Sequence, residues 1–259
     1  MAIVKKYLTN NPCYRKPKKI TPKGLMLHSV GCPQPKASVF MKTYNTSNHV
    51  VCVHGFIDGN DGTVYQCLPW NYRAYHCGGS ANNTHIGIEM CEPSSIKYIS
   101  GSNFTVKNKK EAAKCCKRTY NAAVSLFAKL CKEYKLNPLK KGVIISHNEG
   151  HDLGKASNHG DPEHLWRGLG LNYTMAKFRK DVKAKMTGTT TTTKTAAKTI
   201  KVGSKVKVKK GAKTYEGKEL SSFVYTRTHV VKSITKDRVV ITYGGDVVAA
   251  VKKSDLTLV

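Results

Sequence analysis

The N-terminal part of the chain mixes short apolar runs with stretches of helical periodicity. Residues 25–28 and 143–147 are apolar runs that end in a histidine, and in residues 86–90 apolar side chains alternate with glycine and glutamate. Both patterns are typical of β-strands. From residue 109 to residue 134, apolar side chains recur at helical spacing and predict an amphipathic helix. The sequence therefore predicts an α/β domain with a mixed β-sheet and covering helices.

Two further elements are predicted in the same part of the chain. Residues 50–57 and 63–66 are separated by the glycine-rich segment 58–62, a pattern that predicts a β-hairpin. A second helix is expected from residue 174 to about residue 185, where it closes the domain.

The composition changes sharply after residue 186. Residues 187–200 are a low-complexity run rich in threonine, which is typical of a linker, although a surface strand of a single domain is the alternative. Short valine-rich runs broken by glycine follow and predict a small all-β unit. The predicted organisation is one domain over residues 1–186, a linker over 187–200 and a second domain over 201–259.

The chain is strongly basic, with 44 Lys and Arg against 16 Asp and Glu and a formal net charge of +28 at pH 7. An excess of this size predicts a polyanionic partner. Nucleic acid, acidic lipid and the teichoic acids of Gram-positive walls all fit this charge. No apolar run reaches the roughly 18 residues of a membrane span, and the N-terminus lacks the apolar stretch of a secretory signal. We therefore expect no membrane insertion, and synthesis in the cytoplasm without a signal peptide.

The cysteines do not indicate a disulfide framework. All nine lie between Cys13 and Cys131, they are odd in number, and none forms a CxxC pair. We predict that most are buried thiols without a role in the site.

His28 and His147 each lie at the end of a predicted buried strand, where both side chains can bind the same ligand. Zinc hydrolases hold their metal with three ligands from His, Asp, Glu or Cys and keep one position open for water. Asp161, in a following loop, can supply an oxygen ligand. Taken singly, each histidine also fits a hydrogen-bonded core residue. Together, His28, His147 and Asp161 are candidate ligands for a zinc ion (Zn2+), and core histidines are the alternative.

A glutamate on a neighbouring strand can supply acid–base chemistry. Alternation along the strand places Gly87 and Glu89 on the face opposite to Ile86 and Ile88. A carboxylate inside a sheet is costly unless it is used or paired, and a glutamate beside an activated water can accept and return a proton. A surface glutamate on a half-exposed strand is the alternative. Glu89 is therefore a candidate for the catalytic acid–base residue.

His151 is an alternative to His147 as the metal ligand, because it lies four residues after His147 and would be its neighbour on a helix. Gly150 and Gly154 favour a loop instead. His147 directly ends an apolar run, so we predict His147 rather than His151 as the ligand.

Five stretches together resemble the type 2 N-acetylmuramoyl-L-alanine amidases, relatives of the peptidoglycan recognition proteins and of many endolysins from phages of Gram-positive, notably clostridial, hosts. They are residues 27–29, 76–78, 86–89, 146–149 and 157–164. The resemblance covers about residues 20 to 180. It implies a zinc hydrolase that cuts the amide bond between N-acetylmuramic acid and the first L-alanine of the stem peptide.

The resemblance also implies roles for single residues. It gives His28, His147 and Asp161 as zinc ligands and Glu89 as the acid–base residue. Many members carry Lys where this chain has His159, and Cys where it has Asp161. His159 can still act as the electrophile that stabilises the oxyanion, because a protonated imidazole donates from both nitrogens. His76 is expected to line the substrate groove, with a packing role as the alternative.

The C-terminal part is similar to the bacterial SH3-like wall-binding modules of such endolysins, notably in residues 213–218 and 222–225. This likeness implies a phage endolysin that binds peptidoglycan and anionic wall polymers, and that reaches the wall after release from the host cytoplasm. A wall-recognition protein without turnover is one alternative. A nucleic-acid-binding protein is another, although the sequence contains no recognised nucleic-acid motif.

Overall fold

The computed structural model describes residues 2–188 and 200–259. The chain divides into two compact units, Met1–Thr191 and Thr192–Val259. The predicted linker, residues 187–200, lies mostly outside the described residues, so the linker and the domain boundaries that depend on it stay predictions. Its first residue, Thr187, is the last residue of a helix.

A mixed sheet forms the centre of the first unit. The strands of this unit are β1 (Ile3–Lys5), β2 (Gly24–Ser29), β3 (Gly55–Ile57), β4 (Val64–Gln66), β5 (His85–Met90), β6 (Ile96–Ser100), β7 (Asn103–Val106) and β8 (Ile144–Ser146). Six of them form the central sheet in the order β1-β4-β3-β5-β2-β8, and β6 and β7 pair as a separate hairpin. Within the central sheet only β3 and β4 are antiparallel. The predicted mixed sheet is confirmed.

Six α-helices and one short 3-10 helix, Ser80–Asn83, surround the two sheets. The α-helices are α1 (Pro12–Arg15), α2 (Ala37–Tyr44), α3 (Lys109–Glu133), α4 (His147–Asp152), α5 (Glu163–Gly168) and α6 (Met175–Thr187). The predicted long helix is confirmed as α3, which begins where the Asn108 side chain accepts a hydrogen bond from the Glu111 backbone N–H. The predicted closing helix is confirmed as α6.

The two faces of the central sheet carry different side chains, because neighbours along a strand point to opposite faces. Leu25, Leu27, Ile86 and Ile88 belong to the largest apolar cluster, together with residues of α3 and α6. We call this the helix-covered face. The opposite, polar face carries His28 of β2 and Glu89 of β5, which are partners across the two strands.

The structure differs from the sequence prediction in two places near the site. The first hairpin strand begins at Gly55 rather than at residue 50, because the Cys52 N–H donates to the Tyr75 carbonyl outside the sheet. The prediction of a loop around Gly150 is wrong. This segment is helix α4, whose start is stabilised by reciprocal hydrogen bonds between Ser146 and Glu149. A Cβ at Gly150 would lie 2.9 Å from Met26 Cε, so this glycine permits close packing rather than a loop.

The second unit is an antiparallel sheet with one short helix. Its elements are β9 (Lys205–Val208), α7 (Ser222–Thr226), β10 (His229–Thr235), β11 (Arg238–Tyr243), β12 (Asp246–Lys252), a 3-10 helix (Lys253–Asp255) and β13 (Leu256–Leu258). The strand order is β12-β11-β10-β9-β13, so the last strand lies beside the first. In the described part of the chain the edge strands β12 and β13 are not paired, and the SH3-like barrel stays a prediction.

All nine cysteines lie within the described residues and are free thiols, and eight of them are buried. Over residues 2–188 and 200–259, no helix combines the length and the apolar character needed to cross a membrane.

Candidate metal centre

Three side chains of ligand type meet at the ends of the parallel neighbours β2 and β8. His28 lies near the end of β2, His147 follows β8 as the first residue of α4, and Asp161 precedes α5. All three are buried, and their ligand atoms lie within 4.8 Å of one another. His151 is exposed and is not part of this group. The structure thus brings together the three residues that the sequence analysis predicted as ligands.

The spacing of the three ligand atoms fits a small tetrahedral ion. Nδ1 of His28 lies 3.1 Å from Nδ1 of His147 and 3.3 Å from Oδ2 of Asp161, and Nδ1 of His147 lies 3.5 Å from Oδ1 of Asp161. Ligands about 2.0–2.1 Å from a tetrahedral zinc ion lie about 3.3 Å from one another. Two imidazole nitrogens and a carboxylate are also ligand types that zinc accepts.

Burial and mutual charge set the protonation of the three residues. Burial opposes protonation of His28, but its hydrogen bond with Asp161 and the charges of Glu89 and Asp161 raise the His28 pKa. Burial and then the neighbouring His28 lower the pKa of His147 to about 4. Burial disfavours the Asp161 carboxylate, but the hydrogen bond with His28 and the nearby histidines hold the Asp161 pKa below its ordinary value. The group therefore contains a neutral imidazole and an ionised carboxylate, the forms that bind metals.

Glu89 lies beside this group on the polar face, as the strand partner of His28. Its Oε2 atom is inaccessible to solvent and has no hydrogen-bond partner among the residues that the structure describes. Burial raises the pKa of Glu89 to about 8, although the neighbouring His28 opposes this shift. A carboxyl group that titrates near neutral pH can both accept and donate a proton there.

His159 lies next to the group but at the surface. Its ring centroid is 4.5 Å from that of His147, and its Nδ1 is 3.0 Å from the Ser157 hydroxyl oxygen. The side chain is exposed, so a substrate can reach it. Sequence analysis did not single out Ser157, although it begins the stretch that contains His159 and Asp161.

The side chain of His76 is buried, which agrees with the packing role given as its alternative. Its place in a substrate groove stays a prediction. Its Nδ1 lies 2.9 Å from Nε2 of His28, and its Nε2 lies 3.1 Å from the carbonyl oxygen of His85. Burial and the neighbouring His28 lower the pKa of His76 well below its ordinary value, so the ring is neutral. His76 therefore contacts a candidate ligand, on the side of the ring away from Asp161.

A second buried carboxyl group was missed by the sequence analysis. Glu92 is fully buried and accepts hydrogen bonds from the Gly31 N–H at 3.0 Å and the Tyr98 hydroxyl at 2.7 Å. The Tyr98 oxygen also lies 2.6 Å from Nε2 of His164. Burial raises the pKa of Glu92 to about 7. Its position three residues after Glu89 was the available signal.

Comparison with known proteins identifies the family. Residues 18–164, more than half of the chain, match the family described as N-acetylmuramoyl-L-alanine amidase. The chain belongs to this amidase family. The matched range contains the candidate metal centre, and the prediction of an N-acetylmuramoyl-L-alanine amidase is confirmed. No curated protein matches the amidase.

Solved structures show that the fold of the amidase is shared. The Staphylococcus aureus hydrolase AmiA, solved with its ligand, matches with a TM-score of 0.56 at 17% identity, over 74% of this chain and 87% of that chain. The catalytic domain of XlyA matches with a TM-score of 0.50 at 20% identity, over 70% of this chain and 99% of that one. PlyL gives a TM-score of 0.50 at 20% identity, over 70% and 97% of the two chains.

Proposed function

We propose that this amidase is a zinc enzyme that hydrolyses the amide bond between N-acetylmuramic acid and the first L-alanine of the peptidoglycan stem peptide. One observation carries the proposal: the ligand atoms of His28, His147 and Asp161 have the spacing of a zinc site, and Glu89 lies beside them on the same face. These three residues hold the metal in the proposed enzyme.

The proposed chemistry divides the work between the metal and the chain. Zinc bound there supplies Lewis acidity, which polarises an amide carbonyl and makes water more acidic. Glu89 accepts the proton of the attacking water and delivers it to the leaving amine of L-alanine, and its raised pKa suits both steps. His159 donates a hydrogen bond to the oxyanion, and the contact with Ser157 orients its ring.

Product analysis tests the proposed reaction. Purified protein incubated with Gram-positive sacculi should release peptides with new L-alanine N-termini, as detected by mass spectrometry. A chelator should stop the release, and added zinc should restore it. Released reducing ends would instead indicate a glycosidase, and binding without any release would indicate a wall-recognition protein.

A matched pair of histidine variants tests the ligand assignment. We expect His147→Ala to lose bound zinc and nearly all amide hydrolysis, because it removes one of three ligands. His151→Ala should keep both, because His151 is exposed and outside the group. Zinc content by atomic emission and peptide release measure the two effects. The reverse result would move the ligand to His151.

We further propose that the second unit is an SH3-like module that binds anionic wall polymers. Its antiparallel sheet and its charge support this, since residues 201–259 hold 13 Lys and Arg against five Asp and Glu. Strand β9 exposes Lys205 and Lys207, which alternate with the buried Val206 and Val208. A basic module in the same chain raises the enzyme concentration at an immobile substrate. Co-sedimentation of the full chain should weaken when sacculi are stripped of teichoic acid or when salt is added; equal binding would contradict the proposal.

The biological role we propose is that of an endolysin from a phage of a Gram-positive, clostridial host, made in the cytoplasm and active on the wall after release. The sequence resemblance and the family support this role. The protein added from outside should lyse clostridial cells faster than other Gram-positive cells. Secretion of the intact protein by unlysed cells would count against it.

A further inference from the structure

The two candidate histidine ligands are each held from behind by a chain of hydrogen bonds that ends on a backbone carbonyl. Behind His28, its Nε2 meets Nδ1 of His76 at 2.9 Å, and Nε2 of His76 meets the His85 carbonyl at 3.1 Å. Behind His147, its Nε2 meets the Ser157 hydroxyl oxygen at 3.1 Å, and this hydroxyl donates to the Cys77 carbonyl at 3.2 Å.

The His85 carbonyl determines the direction of the first chain, because a carbonyl oxygen only accepts. His76 must therefore carry its proton on Nε2, which leaves a lone pair on Nδ1. That lone pair accepts the Nε2–H of His28. In the neutral form of His28, the form that binds a metal, this is the only N–H of the ring, so Nδ1 has its lone pair on the side of His147 and Asp161.

The Cys77 carbonyl determines the second chain in the same way. The single proton of the Ser157 hydroxyl is donated to this carbonyl, so the oxygen is left as an acceptor for Nε2–H of His147. Nδ1 of His147 is then free as a metal ligand. Ser157 also lies within hydrogen-bond distance of His159.

We propose that His76 and Ser157 are positioning residues, which fix the tautomers of His28 and His147 so that both present Nδ1 to the metal. This inference rests on the proposed zinc site. Neither residue belongs to the ligand group, so each acts through the histidine that it contacts. Such partners orient a ligand ring and raise its basicity, and their loss typically costs about 10–100-fold in metal affinity.

Backbone hydrogen bonds and close packing on β5 hold His76 in this position. The carboxamide oxygen of Asn82 accepts hydrogen bonds from the backbone N–H groups of His76 at 2.9 Å and Cys77 at 3.1 Å. On the strand below, a Cβ at Gly87 would lie 2.4 Å from Cγ of His76. Glycine at this position therefore lets the ring lie directly on β5.

Two variants of His76 separate hydrogen bonding from packing. His76→Leu keeps an apolar body of similar size but offers no acceptor to His28. His76→Asn keeps an acceptor oxygen close to the place of Nδ1. Zinc affinity is measured by competition with a chromophoric chelator on the full chain at fixed pH. We expect affinity about 10-fold or more weaker for His76→Leu, and within about 3-fold of wild type for His76→Asn.

Ser157 allows the same comparison on the second ligand. Ser157→Ala removes the hydroxyl and should weaken zinc binding about 10-fold, whereas Ser157→Thr keeps it and should retain most of the affinity. The near-ultraviolet circular dichroism of each metal-free variant shows whether it is folded.

The tautomers of His28 and His147 can also be measured directly in the wild-type protein. Long-range 1H–15N correlation spectra of zinc-loaded protein with labelled histidines report which ring nitrogen carries the proton. We expect Nε2–H at both His28 and His147; Nδ1–H at either would overturn the inference for that residue. Wild type that binds no zinc would overturn the proposed function as well. Wild type that binds zinc no better than folded His76→Leu and Ser157→Ala would overturn the inference alone.

Discussion

Strands β2 and β5 build two surfaces of opposite character from alternate residues. Leu27 and Ile88 are fully buried on the helix-covered face, while their neighbours His28 and Glu89 lie on the polar face. Burial of apolar side chains stabilises the fold, whereas burial of ionisable groups costs free energy. The residues that stabilise the fold and the candidate catalytic residues therefore lie on opposite sides of one sheet. Substitutions on the two faces should therefore change different measured quantities.

The largest expected effect is on the polar face. Glu89→Gln keeps the size of the side chain but cannot transfer a proton, so peptide release should fall by about 10²–10⁴-fold. The control is Glu133→Gln, an exposed carboxylate of α3 on the other side of the sheet. Normal turnover by Glu89→Gln would exclude Glu89 as the acid–base residue.

The helix-covered face should respond in stability instead. Phe127 is fully buried and its ring lies 5.1 Å from that of Phe178. Phe127→Ala should lower the free energy of unfolding by about 3–5 kcal/mol, while activity per folded molecule stays unchanged. Urea unfolding measures the loss, and the exposed Lys117→Ala on the same helix is the control. A loss of activity without a loss of stability would contradict the division between the faces.

The sequence predicts elements that lie within one continuous segment better than it predicts contacts between separate segments. Helix α3 was predicted because its periodicity lies within one continuous segment. His28, His147 and Asp161 were predicted as a group because two of them end apolar runs and because their motifs resemble a family. The contact of His76 with His28 was not predicted, since neither an apolar run nor the family motif places these two side chains next to each other.

Two local failures have the same physical origin. Gly150 was taken as a sign of a loop, but in the fold its missing side chain makes room for Met26. Glu92, two residues after the end of β5, was passed over because its partners Gly31 and Tyr98 come from other segments of the chain. In both cases the decisive neighbour is supplied by tertiary structure.

On the polar face, we expect Glu89 to make the stability of the protein depend on pH, which is a smaller effect. The folded protein holds the Glu89 proton up to a pKa of about 8, whereas the unfolded chain releases it near an ordinary carboxyl pKa. Stability is therefore lost as pH rises between these values, and Glu89→Gln escapes this loss. In metal-free protein, the free energy of unfolding of Glu89→Gln relative to that of wild type should increase by about 1 kcal/mol per pH unit between about pH 6 and pH 8. Urea unfolding in chelator at three pH values tests this, and a constant difference would refute it.

The smallest expected effect concerns the start of α3. Asn108→Ala removes the hydrogen bond to the Glu111 N–H and should cost about 1 kcal/mol of stability. Asn108→Ser, which can still cap the helix, should retain most of it. Thermal unfolding and peptide release are compared for both. A marked fall in activity with unchanged stability would mean that this end of the helix also serves the polar face.

The free cysteines have a consequence for how long the enzyme lasts outside a cell. The pKa of eight of the nine thiols is raised, mainly by burial and at Cys52 first by its hydrogen bond with Cys13. The hydrogen bond with Cys52 lowers the pKa of the ninth thiol, Cys13, to about 7, but this side chain is buried, so the native protein offers few accessible thiolates. An opened chain exposes all of them to oxygen at once. In an oxidising medium each unfolding event then risks disulfide cross-links that prevent refolding, so the lifetime of the active protein depends on how rarely the fold opens.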